Sequence, residues 1–458
     1  MGLSIKVYNR LCKLLGKKNI SSDREELICY SYDAAGNSFL PDLVVFPESE
    51  EQISEIMHLA FQYDIAVVPR GAGSGMTGGA VPVKGGIVLV TARMNKIIEI
   101  DDNNFFARVQ PGVVVGDIHK AVEKKGLFYP PDPASSAVCT IGGNIGECAG
   151  GPRAVKYGVT RDYVLGLRAV LASGKVISTG VDTAKGVAGY DLTRLIVGSE
   201  GTLAIVTQIT LRLLPKPESI ITMAVMFDSM HKAATTVSAI MREAVVPRCV
   251  EFMDRACLGL VGQYFDFDLS EDMDAMLIIE VDGSTESVKN DARKIRELCT
   301  ALGALKVITA ENQAEAMNLW KGRKALSPVL YKIAPGKINE DIVVPIDKIA
   351  DMVEITQKIQ KESGLKIVSF GHAGDGNIHC NIMYHKSDSS ESQRAQKAVD
   401  QLFEATLQLG GTITGEHGVG ITKMKYLPAE LGRTQLELMK GIKKVFDPSD
   451  ILNPGKIF

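Results

Sequence analysis

Three of the chain's seven histidines, His372, His379 and His417, occupy two glycine-flanked stretches: Gly371-His372-Ala373-Gly374-Asp375-Gly376-Asn377-Ile378-His379 and Gly415-Glu416-His417-Gly418. Imidazole is both a common metal ligand and the side chain whose proton exchanges nearest neutrality, so these stretches are where metal or proton-transfer chemistry is to be sought. His372 and His379 are seven positions apart. On one continuous strand that spacing would put them on opposite faces, so Gly374-Asp375-Gly376 must turn the chain to bring the imidazoles together. Two histidines and a carboxylate would suit zinc, with iron or manganese as alternatives. Histidines that merely bond backbone carbonyls are the competing reading.

A second chemical stretch runs from Ile65 to Val90. A strand, Ile65-Ala66-Val67-Val68, leads into Pro69-Arg70-Gly71-Ala72-Gly73-Ser74-Gly75-Met76-Thr77-Gly78-Gly79, and a second apolar run follows at Ile87-Val88-Leu89-Val90. Such glycine density lets several backbone N–H groups approach an anion, and a diphosphate is the natural guest. Gly73 to Gly78 satisfy G-x-G-x-x-G, but the dinucleotide fingerprint requires a helix next. Pro82, Gly85 and Gly86 interrupt the segment before another strand instead. The nicotinamide reading therefore fails, and a plain turn between strands is the remaining alternative.

The chain that must position these groups has 458 residues, enough for two or three domains. A hydrophobic fraction of 45% with 23% charged residues is that of an ordinary soluble globular protein. The formal net charge of -3 provides no field for nucleic acid or anionic membrane. Eight cysteines never form C-x-x-C, which argues against an iron–sulfur cluster or zinc ribbon within the chain and fits reduced, intracellular thiols. Near the N-terminus Leu3, Ile5, Val7, Leu11, Leu14 and Leu15 are apolar, but Lys6, Arg10 and Lys13 intervene. An amphipathic helix fits better than a signal peptide. No apolar run approaches the roughly 18 residues that span a bilayer. A cytoplasmic location is expected.

Ile53, Ile56, Met57 and Ala60 have helical spacing behind a cap at Pro47-Glu48-Ser49-Glu50. A strand over Phe106 to Val109 and a helix over Ile118 to Lys125 follow. The proline- and glycine-dense segments Tyr129 to Pro133 and Thr140 to Gly151 read as loops lining a ligand. Strands return at Val164 to Leu171 and Leu203 to Leu214, and Pro215 and Pro217 mark a boundary. Beyond it, strand-like runs at Ile220 to Phe227 and Ala275 to Val281 alternate with helices such as Ala292 to Leu302. That order suggests an antiparallel sheet with helices on it, an α+β fold.

With these stretches in hand the chain resembles the FAD-linked oxidoreductases of the vanillyl-alcohol oxidase superfamily, in the branch of D-lactate dehydrogenases, D-2-hydroxyglutarate dehydrogenases and glycolate oxidase catalytic subunits. The markers are Pro69 to Gly79, Pro131-Asp132-Pro133, Gly142-Gly143-Asn144, Lys156-Tyr157-Gly158, Gly198-Ser199-Glu200-Gly201-Thr202, the two histidine motifs and Asn453-Pro454-Gly455-Lys456. The resemblance implies a two-subdomain FAD-binding domain over residues 1–215, to which 446–458 return, and an antiparallel-sheet cap domain with helices over 216–445. It assigns FAD contacts to Arg70, Gly71, Gly73, Ser74, Gly75, Gly142, Gly143, Gly146 and Gly201. Some relatives attach flavin through a histidine or cysteine. Here no histidine lies between His58 and His119, and Cys139 and Cys148 lack an activating base nearby in sequence, so noncovalent FAD is expected.

The resemblance further implies Glu416 as the carboxylate that joins His372 and His379 on the metal. His417, its neighbour, is then the general base that takes the hydroxyl proton while hydride passes from Cα to flavin N5. The metal would polarise the substrate as a Lewis acid. Arg323, after Trp320-Lys321-Gly322, matches an arginine that binds the substrate carboxylate in relatives. The lysine that holds a distal carboxylate in hydroxyglutarate-type relatives has no clear counterpart, because Ile338-Asn339-Glu340-Asp341 occupies its region. A small D-2-hydroxy acid such as D-lactate or glycolate is therefore expected. Electrons would pass to a separate iron–sulfur subunit or electron-transfer flavoprotein. Competing readings are a D-2-hydroxyglutarate dehydrogenase, a noncatalytic flavin-binding subunit, which should lack the paired histidine motifs, and an alkyl-glycerone-phosphate synthase, which needs an acyl tunnel.

Overall fold

The N-terminal amphipathic pattern forms helix α1, Ile5–Leu15, in the computed structural model, which describes residues 4–183, 185–267 and 269–458. Ser4 caps it by accepting from the Val7 N–H, and Val7, Leu11 and Leu15 are buried. Leu3 lies outside the described residues. Among the described residues no helix is long and apolar enough to cross a membrane.

The chain divides into two units. One comprises the chain up to Gly151, Gly158–Lys216 and Glu416–Phe458, and the other Pro152–Tyr157 and Pro217–Gly415. The crossing after Lys216 falls between Pro215 and Pro217. The return comes at Glu416, earlier than the 446–458 segment suggested by resemblance. The reason is local: the Val419 and Gly420 N–H groups both donate to the Glu200 carboxylate at 2.7 Å, which ties the loop after Glu416 into the first unit.

In the first unit β1 (Ile20–Ser21), β2 (Leu43–Val45), β3 (Val67–Arg70) and β4 (Ile87–Val90) form a four-stranded sheet in the order β1-β2-β4-β3. β2 and β3 both run parallel to β4. Helix α2, Glu50–Tyr63, connects β2 to β3. Ser49 accepts from the Gln52 N–H, Glu50 and Glu51 complement the positive end, and Asp64 closes the helix in a left-handed conformation. Its buried Ile53, Ile56, Met57 and Ala60 pack with α1 and the sheet residues Leu43, Val67 and Leu89. Strand β3 starts later than Ile65 because the Ile65 N–H is bonded to the Ala60 carbonyl of α2.

A second sheet follows, built from β5 (Ile97–Asp101), β6 (Phe106–Val109), β7 (Val164–Val170), β8 (Val176–Gly180) and β9 (Ile205–Arg212). It is antiparallel in the order β5-β6-β9-β7-β8. Helix α3, Val115–Glu123, buries Val115, Ile118 and Val122. The second glycine-dense stretch corrects the expectation of a loop: Ile141–Glu147 is a helix, α4. Thr140 caps it through the Gly143 N–H, and a Cβ on Gly142 would stand 2.7 Å from Pro111 Cβ. Gly142 thus serves close packing of a short helix rather than breaking it.

The second unit is a seven-stranded antiparallel sheet of β10 (Ser219–Phe227), β11 (Cys249–Asp254), β12 (Ala275–Gly283), β13 (Lys306–Thr309), β14 (Gly336–Val343), β15 (Lys366–His372) and β16 (Asn377–Tyr384), ordered β13-β10-β12-β11-β15-β16-β14. Helix α5, Thr285–Ala301, is amphipathic as its pattern predicts. Helix α6, Gln313–Val329, starts on an Asn312 cap and buries Leu319 and Leu326 among Met253, Met276, Ile278, Val368 and Phe370 of the sheet. The fold is α+β.

Candidate active site

In the first unit the nine residues expected to hold FAD, Arg70, Gly71, Gly73, Ser74, Gly75, Gly142, Gly143, Gly146 and Gly201, all line one cleft. It opens between the loop after β3, helix α4 and the turn before β9. No helix follows Gly73–Gly78, as the failed dinucleotide fingerprint requires. Gly201 has φ +68°, and a Cβ there would stand 2.5 Å from Pro69 Cγ, so the wall can approach a ligand only as bare backbone. Arg70 is 7% exposed, and its guanidinium lies 5.5 Å over the Tyr30 ring. The Asn144 side-chain nitrogen is buried on this wall without a hydrogen-bond partner in the protein, as a donor reserved for a ligand would be. A Gly-lined cleft with buried donors fits an anionic dinucleotide such as FAD. Burial pushes the Cys139 and Cys148 thiols up, away from the nucleophilic thiolate.

Glu416 and His417 line the same cleft. Their loop is fixed within the unit by Thr77, whose hydroxyl donates to the His417 carbonyl at 3.1 Å and whose own carbonyl accepts from the Ile421 N–H at 2.8 Å. Glu200 secures the following two residues, as described above. Its burial raises the carboxyl. Glu200 was visible in sequence only as a motif letter; its part in holding this loop, more than two hundred positions away, depends on the fold.

In the second unit the expected turn at Gly374-Asp375-Gly376 closes the β15–β16 hairpin, in which His372 pairs with Asn377 and Phe370 with His379. Residues two apart share a face, so both imidazoles project to one side. They are 5% and 6% exposed, with His372 Nε2 and His379 Nε2 3.5 Å apart. Two nitrogens each 2.0–2.1 Å from a tetrahedral ion would be separated by roughly 3.3 Å, so the pair is spaced to hold one.

The carboxylate of Glu251 is the site residue that sequence reasoning missed. On β11 it is the register partner of His372 and is 0% exposed. One oxygen, Oε1, meets His372 Nδ1; the other, Oε2, accepts from Arg323 Nε at 2.8 Å and is ion-paired with Nη2 at 2.7 Å. Burial alone would raise this carboxyl, but His372 and Arg323 outweigh it and hold it below the usual range. Arg323 lies on α6 and stacks over the Phe370 ring at 4.6 Å. Trp320, one turn earlier, pins the helix by donating to Glu280 Oε1 at 2.7 Å. The arginine expected to face a substrate is therefore already engaged along one edge.

Comparison with known proteins matches the chain over two segments. Residues 41–180 match the model described as FAD binding domain, and residues 216–457 match FAD linked oxidases, C-terminal domain. A glycolate oxidase subunit of Bacillus subtilis is 44% identical over 453 residues, covering 99% of this chain and 96% of the relative. A D-lactate dehydrogenase of Anaerostipes hadrus is 37% identical, with 91% and 89% covered. A D-2-hydroxyglutarate dehydrogenase of Stutzerimonas stutzeri is 32% identical, with 99% and 98% covered. Among solved structures, p-cresol methylhydroxylase superposes with TM-score 0.83 at 20% identity, covering 100% of this chain and 98% of that one. Alkyldihydroxyacetonephosphate synthase gives 0.77 at 20% identity, with 99% and 86% covered. The fold is of the vanillyl-alcohol oxidase type.

Proposed function

We propose, from the premise that this chain belongs to the FAD-linked oxidase family, that it is an FAD-dependent dehydrogenase of small D-2-hydroxy acids, with D-lactate or glycolate as substrate. The observation that carries the reading is the buried imidazole pair backed by a carboxylate and an arginine, in a chain whose other unit carries a glycine-lined cleft. FAD, bound noncovalently in the cleft, supplies the hydride acceptor. A divalent ion on His372, His379 and Glu416, zinc in our reading, supplies Lewis-acid polarisation of the substrate hydroxyl.

The residues then divide the work. Arg323 takes the substrate carboxylate on the donors that Glu251 does not use, and His417 accepts the hydroxyl proton as the 2-oxo acid forms. Glu416 is one Cα step beyond Gly415, whose N–H donates to the Asp341 carbonyl at 3.0 Å. Asp341 is the register partner of His379 on β14 and β16, which supports Glu416 as the third ligand. A noncatalytic flavin subunit would have no use for this set. With no C-x-x-C of its own, the chain hands electrons to a separate iron–sulfur subunit or electron-transfer flavoprotein; the Bacillus subtilis relative is itself described as a subunit. The cytoplasmic location belongs to the same proposal.

The test is anaerobic addition of D-lactate, then glycolate, to FAD-loaded protein, with metal content measured on the same sample. Bleaching of the flavin absorbance is expected. Flavin left oxidised by every 2-hydroxy acid tried would overturn the proposal.

A further inference from the structure

We propose that Glu251 is a positioning residue that sets two things at once: which nitrogen of His372 carries the proton, and which edge of the Arg323 guanidinium remains for a substrate carboxylate. The proposal rests on the metal reading above for its consequence, though not for its geometry.

A carboxylate buried on the apolar face of a sheet is costly unless each oxygen is satisfied. Glu251 meets that condition with two different partners, His372 through Oε1 and Arg323 through Oε2. An ionised carboxylate only accepts hydrogen bonds, so His372 Nδ1 must donate. The neutral imidazole then carries its lone pair on Nε2, the atom that stands 3.5 Å from His379 Nε2. A ligand nitrogen needs that lone pair, and a partner on the far nitrogen is what fixes it.

The same group orients the arginine. Nε donates to Glu251 Oε2, Nη2 lies 2.7 Å from the same oxygen, and the guanidinium lies against the Phe370 ring. The donors not directed at Glu251 are those of Nη1 and the second N–H of Nη2, which together form the end-on fork that matches a carboxylate. One buried anion thereby couples ligand tautomer and substrate clamp.

The discriminating variant is Glu251→Gln, nearly isosteric but with an amide in place of one acceptor. If its oxygen keeps its contact with Arg323, its NH2 faces His372 Nδ1, which must then accept, and the proton moves to Nε2. Zinc affinity, measured by chelator competition on the full-length FAD-loaded protein, should fall about 10- to 100-fold with flavin content unchanged. Glu251→Asp, which preserves the acceptor, should retain more affinity than the Gln variant. Arg323→Lys, which keeps a cation beside Glu251 but loses the fork, should retain more zinc affinity than Glu251→Gln and raise KM. Nitrogen-15 shifts of His372 in metal-free wild type should report an Nδ1–H tautomer. An Nε2–H tautomer in wild type, or wild-type zinc affinity in Glu251→Gln, would overturn the assignment. Wild-type protein that binds no zinc would sink the metal reading instead, and the nitrogen-15 result would still decide the role of Glu251.

Discussion

The ammonium of Lys456 donates to the Val81 carbonyl at 2.7 Å from a side chain only 3% exposed. It also meets Asn453 Oδ1 at 3.2 Å, and Asn453 in turn donates to the carbonyls of Gly79 and Glu200. The last residues of the chain thus brace both loops that wall the cleft.

That burial has a pH signature. Desolvation lowers Lys456 from 10.5 to about 8, against opposing pulls from Asp33 and Glu200. Between these values the unfolded chain binds more protons than the native one, so stability rises with pH through that window. Below about pH 8 the native state carries the full cost of a buried charge. The gap corresponds to about 3 kcal/mol. Thermal melts of wild type should gain on Lys456→Met as pH rises from 8 to 10, and parallel curves would remove Lys456 as the cause.

Gly201→Ala should cost flavin. It forces a left-handed Cβ, worth about 1–2 kcal/mol, against the rigid Pro69 ring. FAD affinity should fall by about tenfold, read as flavin retained through gel filtration. Retention equal to wild type would show that this wall yields freely.

Three alanine variants separate the ligands from the base. On the proposed metal site, His379→Ala and Glu416→Ala should lose the metal along with activity, because each would remove a ligand. His417→Ala should keep metal and FAD while slowing anaerobic flavin reduction by about 10² to 10⁴. Metal lost from His417→Ala but kept in Glu416→Ala would exchange the two roles.

D-Lactate or glycolate should reduce the flavin with higher kcat/KM than D-2-hydroxyglutarate, whose distal carboxylate would be left unpaired. Strand β14 offers one cation, Lys337, and its ammonium donates to Ser327 Oγ at 3.0 Å. The reverse order of substrates would overturn the monocarboxylate reading and direct attention to that lysine.

Periodicity and caps made the regular elements legible. Ile53 to Ala60 announced α2 and its Ser49 cap, and Gly374-Asp375-Gly376 announced the histidine hairpin. Helix α4 was hidden because four residues of Ile141–Glu147, three glycines and an asparagine, are poor helix formers, and the packing of Gly142 against Pro111 is invisible in sequence. Glu251 was hidden for a different reason. A lone acid between Val250 and Phe252 says nothing until strand pairing sets it opposite His372, 121 positions away.

Because Val67 takes its second backbone partners from Ile451 and Asn453, β3 keeps an open edge until that segment has been made. Pro217–Gly415, by contrast, emerges uninterrupted and has its short companion Pro152–Tyr157 already at hand. The first unit is therefore expected to close only after Pro217–Gly415 has been synthesised. A nascent or truncated chain lacking Glu416–Phe458 presents an unpaired parallel strand beside an unbraced loop, an invitation to aggregation and proteolysis. The 43 residues from Glu416 to Phe458 thus belong with the first unit although they follow the second in the chain.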